Sequence, residues 1–205
     1  MHNLPAGDWD GGERGIACLP DRVDEFRSGV ERALGYAECL GVRRLNCLAG
    51  VAPAGADPRL LLETLSGNLG WAADVLGRRG MRLLLEPLND RDVPGFLVTR
   101  SAQAIAILDG VGRDNLFLQY DIYHMQRMEG DLAATLERLL PRIGHLQLAD
   151  NPGRHEPGSG EIDFRFLLGH LRRIGWRDWI GCEYLPRGDT AAGLAWMREI
   201  VDAAA

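Results

Sequence analysis

No stretch of the 205 residues approaches the roughly 18 consecutive apolar residues that a membrane-spanning helix needs, so no membrane partner is expected. Cysteine is scarce. Four residues, Cys18, Cys39, Cys47 and Cys182, lie far apart with no CxxC spacing, which excludes a disulfide scaffold and leaves buried free thiols as the expectation. Positive charge is in deficit as well: Lys plus Arg number 23 against 29 Asp plus Glu, a net charge of -6. Phosphate backbones are gripped by clustered cations, so no nucleic-acid partner is expected. The first residues have neither a basic start nor an apolar core, so no secretory leader is expected and the protein reads as cytoplasmic. Two common nucleotide cradles, GxGxxG and GxxxxGK[ST], are also missing.

What is there is ordinary globular composition, 46% hydrophobic and 25% charged. Five short apolar runs, residues 42–48, 81–85, 116–120, 143–148 and 179–182, end at Gly, Pro, Asp or Glu, as buried parallel strands do. Helical patterns lie between them. In residues 24–40 the side chains of Phe26, Val30, Ala33, Leu34, Ala37 and Leu40 share one face, and Gly41 follows as a cap. Residues 58–76, 101–108, 132–140, 164–174 and 191–203 read similarly. Alternation of this kind is α/β with a parallel sheet, in one domain over residues 1–205 with no linker.

An oxygen-bearing side chain stands at the end of four of these runs: Glu86, Asp121, Gln147 and Glu183. In a (β/α)8 barrel that rim is where catalytic side chains converge, which favours a barrel over an open sheet. Crowded carboxylates repel unless a cation neutralises them, and oxygen donors without cysteine suit Mg²⁺ or Mn²⁺. The competing explanation is that acids after strands are helix N-caps. It fits Glu86 least, because Pro87 and the residues after it do not start a helix at once.

Longer motifs carry a resemblance. Residues 83–95 (LLLEPLNDRDVPG), 119–130 (QYDIYHMQRMEG), 143–163 (IGHLQLADNPGRHEPGSGEID) and 181–186 (GCEYLP), with the opening HNLPAGDWDGGERGIACLP, look like the hydroxypyruvate isomerase family. That family belongs to the xylose-isomerase-like TIM barrels. The resemblance implies a divalent metal, Mg²⁺ or Mn²⁺, held by Glu86, Asp121, Gln147 and Glu183, with the two glutamates as proton donor and acceptor. It also implies interconversion of hydroxypyruvate and 2-hydroxy-3-oxopropanoate (tartronate semialdehyde). A cation chelating both substrate oxygens stabilises the enediolate, and carboxylates on either side move the protons. The alternatives are a related oxo-acid or sugar isomerase or epimerase, such as a 2-oxo-tetronate isomerase or a ketose 3-epimerase, or an inactive partial barrel that binds a partner.

Three further residues are read as substrate-binding. His124 can hydrogen-bond a substrate oxygen, Arg154 can clamp the substrate carboxylate bidentately, and Glu156 can orient Arg154. His145 shares the facing of Gln147, Trp9 is a candidate lid aromatic, and His2 and His170 are expected to face water. A (β/α)8 domain runs to about 250 residues. With five strands visible, the expectation is an N-terminally truncated barrel whose first strand, residues 42–48, lacks a neighbour on one side. Such a chain is expected to self-associate, and a homo-oligomer is compatible with it.

Overall fold

The computed structural model describes residues 2–201. The chain divides into two compact units, Met1–Gln119 and Tyr120–Ala205, each considered by itself.

In the first unit the elements run β1 (His2–Asn3), α1 (Val23–Leu40), β2 (Arg44–Leu48), α2 (Pro58–Gly77), β3 (Arg82–Glu86), α3 (Ser101–Val111) and β4 (Leu116–Asp121), whose last two residues open the second unit. The strands pair in parallel in chain order, with Asn3 opposite Asn46, Leu48 opposite Glu86 and Leu85 opposite Leu118. β2 therefore has a neighbour on each side, which corrects the expected bare edge. The two-residue β1 is too short to leave a periodic signal. Leu45, Cys47, Leu83, Leu84 and Leu85 are buried, as strands covered on both faces require.

The helices start and stop as their sequences dictate. Asp57 caps α2 by accepting the Arg59 N–H at 2.9 Å, and Pro58 takes the first turn, where its missing N–H costs nothing. Gly41 ends α1 in the left-handed region at φ 65°, returning its N–H to Glu38 O. The α1 face holds Phe26, Val30, Ala33, Leu34 and Ala37, but Leu40, in the final turn, is 68% exposed. Gly15 lies so close to β2 that a Cβ there would sit 2.2 Å from the Leu48 carbonyl oxygen.

The second unit holds α4 (Ile122–Met128), α5 (Leu132–Leu139), β5 (Ile143–Leu148), α6 (Phe164–Arg173), β6 (Ile180–Cys182), α7 (Thr190–Gly193) and a wide turn at Met197–Val201. β5, buried along its whole length, pairs in parallel with β6, with Gln147 opposite Gly181. Asp163 caps α6, which buries Phe164, Leu167, Leu168 and Leu171. The single helix expected over 191–203 is broken. α7 ends at Gly193, a weak helix former, and tighter turns lead on to Trp196; residues 202 and 203 lie outside the described residues.

Two other expectations need correction. Cys18 and Cys47 are buried free thiols, but Cys39 and Cys182 are exposed. His2 and His170 do not stand free in water: each is half-buried, with Nε2 3.2 Å from Ala33 O and 3.1 Å from Ala133 O respectively. No helix among the described residues is long and apolar enough to cross a membrane.

Candidate active site

In the first unit, Glu86 is the last residue of β3 and is 4% exposed. It does not cap a helix. Asn89 instead closes a turn by accepting the N–H groups of Arg91 and Asp92, and α3 begins only at Ser101. Asn46 of β2 donates from Nδ2 to Glu86 Oε2 at 2.6 Å and to Asn3 Oδ1 at 3.1 Å. One neutral amide thus stands beside a buried carboxylate and is backed by a second, and neither stands out in the sequence. A polar residue inside the apolar run 42–48 gives no periodic cue.

In the second unit, Asp121 ends β4 and is fully buried. The capping explanation is right for half of this carboxylate. Its Oδ1 accepts the N–H groups of Tyr123 and His124 at 2.8 and 3.4 Å and starts α4. Its Oδ2 is buried without a hydrogen-bond partner among the described residues, with His124 Nε2 and Arg154 Nη2 each 3.8 Å away. Burial raises the Asp121 pKa, and the Arg154 charge and the two backbone N–H groups oppose that rise.

Gln147 on β5 donates from Nε2 to Glu183 Oε2 at 2.8 Å, and Arg154 Nη2 meets the same oxygen at 3.1 Å. Gly181, opposite Gln147, keeps this space open, since a Cβ there would lie 3.2 Å from Gln147 Cγ and 3.1 Å from Nε2 of the buried His145. Asp121, His124, Gln147, Arg154 and Glu183 are therefore brought together within the second unit. Glu156 is not with them. Its carboxylate accepts the Arg187 N–H at 3.2 and 3.3 Å, so it fastens the segment after Glu183 rather than orienting Arg154. Trp9, in the first unit, is 52% exposed with the Arg14 guanidinium 3.8 Å from its ring centroid.

A fully buried carboxylate that the sequence did not reveal organises the arginine loop. Asp150 accepts four backbone N–H groups, from Asn151, Gly158, Gly160 and Ile162, at 2.8 to 3.1 Å. Its partners are backbone atoms, which carry no sequence signal. Gly160 passes so near that a Cβ would fall 2.6 Å from Asp150 Oδ1. Within this loop Arg154 adopts φ 56°, rare for a side chain other than glycine, and its carbonyl accepts the Leu185 N–H at 2.7 Å.

The donor set fits a hard divalent cation. Asp121 Oδ2 is an ionisable oxygen withheld from water and from hydrogen bonds, the situation a cation relieves. His124 offers a second ligand atom within 4.8 Å of it. His124, expected as a substrate contact, is thus placed to serve as a ligand as well.

Residues 1–200 match the family described as xylose isomerase-like TIM barrel. The chain belongs to that family. Its fold class is accordingly the parallel β/α barrel type read from the sequence, and the strand pairs above are all parallel. Among relatives in the family, the hydroxypyruvate isomerase of Escherichia coli is 51% identical over 197 residues, 96% of this chain and 76% of that protein. The 2-oxo-tetronate isomerase of Cupriavidus necator is 43% identical over 198 residues, 97% of this chain and 76% of that protein. A crystal structure described as an AP endonuclease of family 2 from Brucella melitensis superposes with a TM-score of 0.93 at 42% identity, covering 96% of this chain and 76% of that one. The chain thus spans about three quarters of the length of these relatives.

Proposed function

We propose that this chain is an isomerase for small hydroxy-oxo acids that interconverts hydroxypyruvate and 2-hydroxy-3-oxopropanoate. The observation that carries the reading is Arg154, held against Glu183 Oε2 and facing the unbonded oxygen of Asp121. A guanidinium so placed can take the carboxylate of an acid substrate beside the groups that move its protons. The 51% identity to a hydroxypyruvate isomerase supports the same substrate. All 23 basic residues of the chain are arginine, so no lysine is available for a Schiff base; of the routes left, proton transfer through an enediolate and a metal-promoted hydride shift, the pair of glutamates favours the enediolate.

In this reading Glu86, Asp121, Gln147 and Glu183 hold a divalent cation, Mg²⁺ or Mn²⁺. When bound, it supplies Lewis-acid stabilisation of the enediolate oxygens. Glu86 and Glu183 carry the protons: one carboxylate removes hydrogen from carbon and returns it to the neighbouring carbon, and the other serves the exchanging hydroxyl and carbonyl. His124 and Arg154 bind the substrate, and Glu156 acts indirectly through the Arg187 segment. We read residues 1–205 as one domain, since the family match runs across both units. We also read the protein as cytoplasmic, with neither nucleic acid nor membrane as partner; a homo-oligomer is compatible with this.

The test is turnover of hydroxypyruvate by the 205-residue chain with Mg²⁺ or Mn²⁺, following the aldehyde product by a coupled reduction. Conversion is expected, with solvent deuterium entering the product. No conversion with either ion would sink the reading and leave a non-catalytic binding role. The 43% identity to a 2-oxo-tetronate isomerase favours a second substrate, and a higher kcat/KM for the four-carbon acid would transfer the assignment to it.

A further inference from the structure

Asn46 lies in the middle of β2 and is fully buried. An amide nitrogen carries two hydrogens, and both are committed here, one to Glu86 Oε2 and one to Asn3 Oδ1. The carboxylate also fixes which way the amide points, because the flipped group would set Oδ1 against an ionised oxygen. What remains is Oδ1 itself, a strong acceptor, buried and without a hydrogen-bond partner among the described residues. Leaving such an atom unmatched is unfavourable, so its donor is to be sought outside the chain. That donor must carry an O–H or N–H and must reach an oxygen two bonds away from the nitrogen that touches Glu86.

We propose that Asn46 is a substrate-binding residue whose Oδ1 accepts a hydrogen bond from the substrate's terminal hydroxyl, beside the Glu86 carboxylate. This rests on the isomerase reading above, in which Glu86 moves protons. The hydroxyl in question sits on C3 of hydroxypyruvate, the carbon that loses its hydrogen. Gripping it through Asn46 sets that carbon against Glu86 and makes the amide a specificity device. An acid lacking the hydroxyl leaves Oδ1 unmatched and binds less well.

Glycerate and lactate make the comparison, since they differ only in the C3 hydroxyl and have no carbonyl to isomerise. Calorimetric titration of the Mg²⁺-supplemented full chain should show glycerate binding about 3- to 10-fold more tightly than lactate. Asn46→Leu should abolish the preference by weakening glycerate alone, whereas Asn46→Gln, which keeps both an amide N–H for Glu86 and an acceptor oxygen, should retain it. If circular dichroism shows that Asn46→Leu does not fold, Asn46→Ala, which also lacks an acceptor, takes its place with the same expectation. A merely structural role would weaken both acids together. No preference in the parent, or loss of the preference in both variants or in neither, overturns the assignment. Hydroxypyruvate turnover by the parent, measured alongside, separates the two ideas. Turnover without a glycerate preference sinks only the role of Asn46, whereas absence of turnover sinks the isomerase reading.

Discussion

Glu86 and Glu183 both stand where a strand ends, yet the two units hold them by opposite means. Glu86, in the first unit, is 4% exposed and is gripped by a neutral amide inside a strand buried on both faces. The Glu183 side chain, in the second, is 54% exposed and is held by Gln147 and the charged Arg154 beyond a strand that is itself half-covered. A buried carboxylate held by a buried amide is little affected by salt. One held by an exposed ion pair gives way when an anion competes for the guanidinium. The pair therefore divides into a rigid group and a group that the arriving substrate can release.

The largest effects come from breaking each arm in turn. Glu86→Gln and Glu183→Gln each keep an oxygen but lose the proton function, so kcat should fall by roughly 10²-fold or more in both. KM should rise more for Glu183→Gln than for Glu86→Gln, because Glu183 shares the arginine that takes the substrate carboxylate. Steady-state kinetics in which Glu183→Gln keeps near-normal kcat would remove the second glutamate from the mechanism.

A smaller effect concerns the second unit's buried charge. Burial raises the Asp121 pKa in the folded chain, so the ionised carboxylate works against folding above that pKa, and the penalty vanishes below the unfolded value of about 3.9. Asp121→Asn keeps the capping oxygen and drops the charge. Without metal it should melt higher than the parent at pH 7, by about 2–4 °C per kcal/mol relieved, with the gap closing as pH falls toward 4. Added Mn²⁺ should reverse the order by stabilising only the parent. Equal melting curves at pH 7 in both conditions would show that Asp121 Oδ2 neither suffers from burial nor meets a cation.

The smallest effect is a matter of rate. Burial pushes the Cys18 thiol up to about 11 and the Cys47 thiol up to about 12, whereas Cys39 is exposed. Cys182, exposed as a residue, still has its thiol raised by burial. Labelling with a chromogenic disulfide at pH 8 should therefore be fast at Cys39, slower at Cys182, and silent at Cys18 and Cys47 until denaturant is added. Fast labelling of Cys47 in the folded chain would contradict the close cover over β2.

The strand ends were legible because each apolar run stops at a polar side chain, which is how Glu86, Asp121, Gln147 and Glu183 stand out. α4 was not legible: Ile122, Tyr123, His124 and Met125 are all buried in succession, so no polar face marks the helix. β1 has only two residues, and its role shows in the pairing of His2 with Leu45 and Asn3 with Asn46. Leu40 fits the apolar face on a helical wheel, but in the last turn of α1 no partner covers it. The role of Asp150 was hidden for a different cause, since its ligands are amide groups spread from 151 to 162. Local pattern reveals what neighbours in sequence share, and these features depend on atoms that the chain brings back from elsewhere.

Because N–H groups at 151, 158, 160 and 162 all close on the Asp150 carboxylate, the segment between them behaves as a module of fixed length. Inserting or deleting a residue would draw at least one N–H off the buried oxygens and leave both partners unmatched. Variation in what this part of the scaffold recognises must then arise by exchanging the side chains it displays, Arg154 foremost, while the loop keeps its count. Directed evolution toward uncharged substrates should accordingly sample residue identities here and leave segment length alone.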